Sequence, residues 1–445
     1  MKKYIITSYI PDAVIDYDFY SALEVYSKKN KAEMIVTQNK FNYVKDLETD
    51  QEEYNQKFIG DKLLTKERKL AKSLFISDYQ QSINVIDPLS GMESVASHKG
   101  SFILSFPRHR FKSVARVIKN HEYPRGIWCT GSISEPVYKT SIKSGMKMQP
   151  FHVKGALVVT IENNKIFHIR QLQWDGVGFY DLNTYYMSDK SKVVKTSVSA
   201  FVCGDDHAVF QNEMAMKVTK RHIKQLRPSN IVRHDTLDCC SISHHVENKK
   251  LTKASIDMTL EEELKITAKT IKDFEDKFPF ANHYQVASNH PEHLDRYLDE
   301  ARYRDDNFNH ILALELALAK SKGNNVYKYS MEKYAGKLKT NFLTRKSTIK
   351  IEGIEIAAHG DMGVNGGKAT PTGLGLIYSG KAITGHSHSA NISPYGNPTV
   401  GTLTDLVLPY TSEAGGSSWS HTNCIVYKNG KMSLINILPN SQNKL

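Results

Sequence analysis

The chain has few cysteines, at positions 129, 203, 239, 240 and 424, and no two of them form a CxxC pair. That spacing excludes an all-thiolate metal site and a CxxC redox motif, and the odd count argues against a disulfide framework. The thiols are expected to be buried as small hydrophobes in a reducing compartment. Long apolar runs are missing too. No window approaches the roughly 18 uncharged apolar residues of a membrane span. Met1-Lys2-Lys3 resembles the start of a signal peptide, but the apolar run behind it is short and meets Pro11 and Asp12. A cytoplasmic protein without a membrane partner is expected. Internal repeats and low-complexity tracts are also absent.

With 445 residues, the chain is long enough for two cores. Apolar residues at 40% and charged residues at 24% fit a globular protein. The net charge of +12 favours an acidic partner such as nucleic acid, the alternative being a basic but indifferent surface.

The start reads as β-α-β: a strand from Tyr4 to Ile10, a helix from Asp18 to Lys29, and a strand from Ala32 to Thr37. Its loop lacks a glycine-rich phosphate fingerprint, so no nucleotide site is assigned there. Lysines and arginines cluster between Lys62 and Lys72, as a solvated helix face or as phosphate contacts. A second basic run, Arg108-His109-Arg110-Phe111-Lys112, would track a nucleic-acid backbone or line an exposed sheet edge. Two strands flank the hairpin signal Glu162-Asn163-Asn164. A lysine-rich stretch then sets an expected domain boundary near 195. Residues 1–195 form a separate N-terminal α/β domain, suited to DNA binding or oligomerisation, and residues 196–445 form a second domain. The second half alternates strands and helices, implying a layered α/β core. It returns to β in Thr402 to Pro409 and Asn423 to Tyr427.

Five blocks in this half sit at predicted strand ends: Asp205-x-His207, Asp235-x-x-Asp238, Asn289-His290, His359-Gly360 and Gly385-His386-Ser387-His388. Ligands at the carboxyl ends of successive strands converge on one rim of an open sheet. Carboxylate, imidazole and carboxamide donors suit Mn, Fe or Zn. A carboxylate shared by two such ions, roughly 3.5–4 Å apart, makes a two-metal site for in-line displacement. Taken singly, these blocks are weak; His-Gly is more often a turn than a ligand.

The order and residue types of the five blocks resemble the calcineurin-like metallophosphoesterase superfamily over about residues 196 to 430. The resemblance implies a two-sheet β-sandwich flanked by helices around one dinuclear centre. It implies that Asp205, His207 and His388 bind the first metal and that Asp235 bridges. Asn289, His359 and His386 would bind the second, and His290 would assist the leaving oxygen. Two departures stand out: His234 precedes Asp235 where that block normally has glycine, and Pro291 follows His290 where it normally has an acid. Glu292 and Asp295 are therefore the candidate acidic partners of His290. Asp238 is expected to support the metal ligands rather than bind metal. His244 and His245 are candidate phosphate contacts or helix caps. The loop from Gly363 to Lys368 would order over a phosphate or remain a surface loop.

Further segments, including Asp87-Pro88-Leu89-Ser90-Gly91, Cys129-Thr130-Gly131-Ser132-Ile133 and Ser417-Ser418-Trp419-Ser420-His421, resemble phage-encoded calcineurin-like proteins. These include a pre-early type from T-odd coliphages linked to destruction of host DNA. The expectation is a DNase with two divalent ions, Mn2+ first and Mg2+, Fe2+ or Zn2+ as alternatives. DNA is the expected partner, and a homo-oligomer is compatible with this reading. The rival readings are a phosphomonoesterase or protein phosphatase with the same centre, and a non-catalytic binder of a host protein.

Overall fold

In the computed structural model, strands Lys2–Tyr9 and Ala32–Gln38 pair in parallel across helix Tyr17–Asn30. Asp16 caps that helix by accepting the Phe19 N–H at 2.9 Å. The structure describes all residues except 41–48, 118–122, 190–192, 243–257, 409–410 and 412–413. The opening pair belongs to a five-stranded sheet ordered Phe167–Gln173, Gly155–Ile161, Lys2–Tyr9, Ala32–Gln38, Leu63–Leu64. Among the described residues no helix is long and apolar enough to cross a membrane.

A six-stranded sheet carries the rim. Its order is Asn341–Phe342, Asn282–Gln285, Asn230–Arg233, Ala200–Val202, Thr422–Val426, Met432–Asn436. The first four strands run parallel, Thr422–Val426 runs against them, and Met432–Asn436 pairs antiparallel with Thr422–Val426. Side chains alternate across this sheet as strand geometry requires. Ala200, Val202 and Val232 face the largest apolar cluster. Phe201 and Ile231 face helices Glu213–Leu226 and Leu260–Lys277, through Ile223 and Phe274.

The third large sheet has seven strands: Pro398–Thr399, Asn391–Ile392, Phe111–Val114, Arg125–Cys129, Ser101–Leu104, Leu74–Ile76, Arg68–Ala71. It joins a segment near residue 395 to strands from the first third of the chain. The largest apolar cluster likewise unites Tyr4 and Ile6 with Phe111, Val202 and Ile392. The expected boundary near 195 falls between Val193–Lys195 and Ala200–Val202, and it coincides with no break in this sheet or this cluster. The architecture is mixed α/β.

The basic run at 108–112 is a correction. Neither alternative read from the sequence holds, because Phe111–Val114 lies inside the sheet with neighbours on both sides. Arg108, His109 and Arg110 are all buried. Arg110 donates to both oxygens of Asp87 and to the Asn391 side chain, and Arg108 to main-chain carbonyls. Charge read in one dimension could not reveal partners 281 residues away. The cluster at 62–72 is not a helix face either: Leu63–Leu64 and Arg68–Ala71 are strands, and Lys62 and Arg68 pair with Glu24 and Glu33. Thr402 to Pro409 forms no regular strand where described; Thr402 and Thr404 make single bridges to Asp205 and Gln211.

Candidate metal centre

Three parallel strands deliver the first three blocks to one rim. Ala200–Val202 runs into Asp205 and His207, Asn230–Arg233 into His234 and Asp235, and Asn282–Gln285 towards Asn289 and His290. His359 follows the hairpin of Lys350–Ile351 and Ile354–Glu355. Residues 382 and 384 bridge to Glu355 and Thr399, which carries Gly385 to His388 to the same place. Gly385 admits no side chain, because a Cβ there would overlap Oδ1 of Asp205. The next N–H, of His386, donates to Asp205 Oδ2 at 2.6 Å.

The side chains converge closely. Nε2 of His207 lies 3.1 Å from Nε2 of His388, which stands 3.3 Å from Asp205 Oδ2. Asp235 Oδ2 lies 2.9 Å from His359 Nε2 and 4.0 Å from His207 Nε2. The rings of His359 and His386 are 5.3 Å apart. Although 2.9 Å apart, His359 Nε2 and Asp235 Oδ2 do not meet with hydrogen-bond geometry. They face each other as two ligands of a common centre would.

Orphaned atoms give the site its character. Asp205 Oδ1, both carboxylate oxygens of Asp235, His359 Nε2, His388 Nδ1 and Asn289 Oδ1 are buried without a hydrogen-bond partner. Buried polar groups are normally satisfied, and leaving one unsatisfied costs about 1–3 kcal/mol. A cluster of such atoms, all oxygen or imidazole nitrogen, fits hard and borderline divalent cations. Two groupings can each hold an ion: Asp205 with His234 and His359, and His207 with Asp235 and His290. Backbone strain concentrates here as well. His207, Asp235, His386 and His388 have φ of 39°, 47°, 73° and 56°. Such conformations cost about 1–3 kcal/mol each for non-glycine residues and persist where the surroundings enforce them.

The electrostatics follow from burying two carboxylates together. Burial and the nearby Asp235 carboxylate push Asp205 up to about 7. Burial also opposes ionisation of Asp235, but the imidazoles of His359 and His290 outweigh it and hold Asp235 well below the usual carboxylate range. Burial lowers His388, and the neighbouring His207 lowers it further, leaving a neutral imidazole, the form that ligates a cation.

The structure corrects the partner of His290. Its Nδ1 lies 2.8 Å from Asp238 Oδ1, while Asp238 Oδ2 lies 3.2 Å from His207 Nδ1. One carboxylate therefore orients two imidazoles. Glu292 instead pairs with Arg345 at 2.7 Å, and Asp295 with Lys320 at 2.7 Å. Leu237 and Cys239 anchor this turn in a helical apolar cluster, and Glu263 accepts the N–H groups of Cys240 and Ser241. Asp238 is thus held against the rim from behind. Burial opposes protonation of His290, yet Asp235 and Asp238 raise it to about 10.

Three contributors were not read from the sequence as site residues. His234 joins Asp205 and His359, Trp419 packs on His388 with ring centres 4.3 Å apart, and Arg233 pairs with buried Asp206 behind the rim. The signal for His234 was its replacement of an expected glycine; the other two are long-range contacts with no local signature. His244 and His245 lie outside the described residues. The loop from Gly363 to Lys368 contains a short 3-10 turn, Val364–Gly366.

The fold and rim define a mixed α/β protein with buried Asp/His groups able to hold a metal ion. Over 469 aligned positions the chain is 30% identical to "Protein A1" of Escherichia phage T5, covering 98% of this chain and 81% of that protein. The chain belongs to the family of that phage protein. No protein-family model matches the chain. No solved structure matches it either.

Proposed function

We propose that this phage-related protein is a metal-dependent phosphodiesterase that cuts DNA, with host DNA during infection as its target. The observation that carries the reading is the cluster of buried oxygen and nitrogen donors lacking protein partners, set beside a carboxylate-oriented His290. Asp205, His207 and His388 would hold one divalent cation, Asn289, His359 and His386 another, and Asp235 both. Two such ions, Mn2+ in this reading, supply charge neutralisation and an acidified water for in-line attack on phosphorus. Asp238 accepts from Nδ1 of His290 and turns Nε2 of that ring to the leaving oxygen, to which it gives a proton. Asp238 also fixes the ring of His207, so one group sets both the metal ligand and the proton donor.

The buried state of Arg108 and Arg110 removes them from DNA contact. A better path runs beside His359. A cavity of about 460 Å³ there is lined by Lys346, Lys350 and Lys381 together with Ala357 and Ala358. These lysines are exposed, and none has an ion-pair partner among the described residues. They suit the phosphates flanking the scissile bond.

The test is a gel assay on linear and circular duplex DNA with Mn2+, Mg2+ or EDTA, beside p-nitrophenyl phosphate turnover. Metal-dependent loss of DNA by the wild type and none by Asp235→Ala or His290→Ala is expected. Turnover of the monoester alone would replace this reading with a phosphatase. Inactivity towards both would replace it with a host-protein binder.

A further inference from the structure

We propose that His234 is an additional nitrogen donor of the metal centre, acting with Asp205 and His359. The inference rests on the two-metal reading above but regroups it: Asp205 and His359, which that reading gives to different ions, share one with His234, which stands where the resembling block carries glycine. His234 follows strand Asn230–Arg233 directly, and its side chain is fully buried. Its Nδ1 faces Nδ1 of His359 at 3.3 Å, with the rings 5.5 Å apart and tilted by 32°. Its Nε2 is buried and has no partner.

Histidines kept for structure are tied to a main-chain carbonyl through at least one ring nitrogen, as His109 is to Thr130 and His222 to Asn443. His152, also within the fold, meets Tyr138 Oη with Nδ1 and the Ser134 carbonyl with Nε2. For His234 the facing pair allows two tautomer arrangements. If His234 donates from Nδ1 to His359, its Nε2 carries a bare lone pair with no hydrogen to accept. If His359 donates instead, the Nε2–H of His234 is stranded in the interior, which costs about 1–3 kcal/mol. A cation held between the two Nδ1 atoms, 3.3 Å apart, would replace that hydrogen bond and take a lone pair from each ring. One donor atom each from Asp205, His234 and His359 lies within 4.8 Å of the others. Donors at roughly 2.0–2.2 Å from a small divalent ion span comparable separations.

An extra imidazole has a chemical consequence. Imidazole suits Zn, Fe and Ni, whereas oxygen donors suit Mg and Mn. His234 therefore tunes one of the two positions towards the later transition metals.

The experiment titrates Co2+ and Mn2+ into metal-free full-length protein by calorimetry, with the visible absorption of bound Co2+ as a second readout. Variants are His234→Gly and His234→Gln, the latter keeping volume and a hydrogen bond to His359. For the wild type, two ions per chain are expected. Both variants are expected to weaken one of them by tenfold or more, more for Co2+ than for Mn2+, and to change the Co2+ spectrum. Unchanged affinity and spectrum in the variants would overturn the proposal while leaving the two-metal reading intact. So would full recovery by glutamine alone, which would mark His234 as a positioning residue. A wild type that binds neither ion would overturn both. Should the glycine variant fail to fold, the glutamine variant carries the decision.

Discussion

Two buried polar clusters in this protein look alike in composition and differ in how they are satisfied. Around Asp181, Arg170 donates to both carboxylate oxygens at 2.9 and 3.0 Å, and Tyr26 adds a hydroxyl at 2.8 Å. Around Asp235, by contrast, neither carboxylate oxygen has a hydrogen-bond partner, and imidazoles crowd it from several sides. The first cluster closes on itself and holds strands together. The second leaves both carboxylate oxygens unpaired within the protein. Buried polarity alone therefore does not mark a site; what sets the rim apart is several unpartnered oxygen and nitrogen donors gathered in one place.

The largest effect should come from breaking the closed cluster. Arg170→Ala is expected to lower stability by about 3–5 kcal/mol, because it strands a buried carboxylate. Asp205→Ala in EDTA should change stability by less than about 1 kcal/mol, or raise it, since burial and the Asp235 carboxylate already oppose its charge. Urea denaturation of both variants reads this contrast. Next in size is the response to metal. Mn2+ at 100 times its dissociation constant should stabilise the wild type by about 2.7 kcal/mol and leave Asp235→Ala unmoved, as thermal melts would record.

The partner of His290 sharpens the comparison within the rim. Asp238→Asn should weaken metal affinity or DNA cleavage by about 10–100-fold. Glu292→Gln, whose partner is Arg345, should stay within about twofold, as expected for a partly exposed ion pair. Replacing Lys346, Lys350 and Lys381 with alanine should flatten the salt dependence of DNA binding by about one unit of slope per lost phosphate contact. The smallest effect concerns acid. Burial opposes ionisation of Asp87, but Arg110 prevails and holds it below its ordinary value. Its contribution to stability is present above the unfolded carboxylate value and is lost as pH falls through the folded one. Asp87→Asn should therefore lose less stability than the wild type on acidification, measured as unfolding free energy against pH.

Much of the rim was legible because its chemistry is local. Asp205-x-His207 and His386-x-His388 each lie within three residues, and strand Asn230–Arg233 announces itself by Ile231 and Val232. Helices such as Glu213–Leu226 and Leu260–Lys277 mark their starts locally, since Asn212 and Thr259 cap them with side-chain oxygens. What stayed hidden depends on distant contacts. Helix Pro371–Tyr378 was not foreseen, being short and glycine-containing. The seven-stranded sheet joins Asn391–Ile392 to Phe111–Val114, a pairing no local pattern encodes. The same distance hid the fate of Arg110, and it hid Asp238 as the partner of His290, 52 residues away.

The central claim is that the unpartnered atoms around Asp235 are cation ligands. The most direct measurement is anomalous scattering from crystals grown with Mn2+, recorded on both sides of the manganese edge. Two peaks flanking the Asp235 carboxylate, with imidazole nitrogens in contact, are predicted. An absence of peaks at the rim, or peaks elsewhere with Asp235 uncoordinated, would contradict the account.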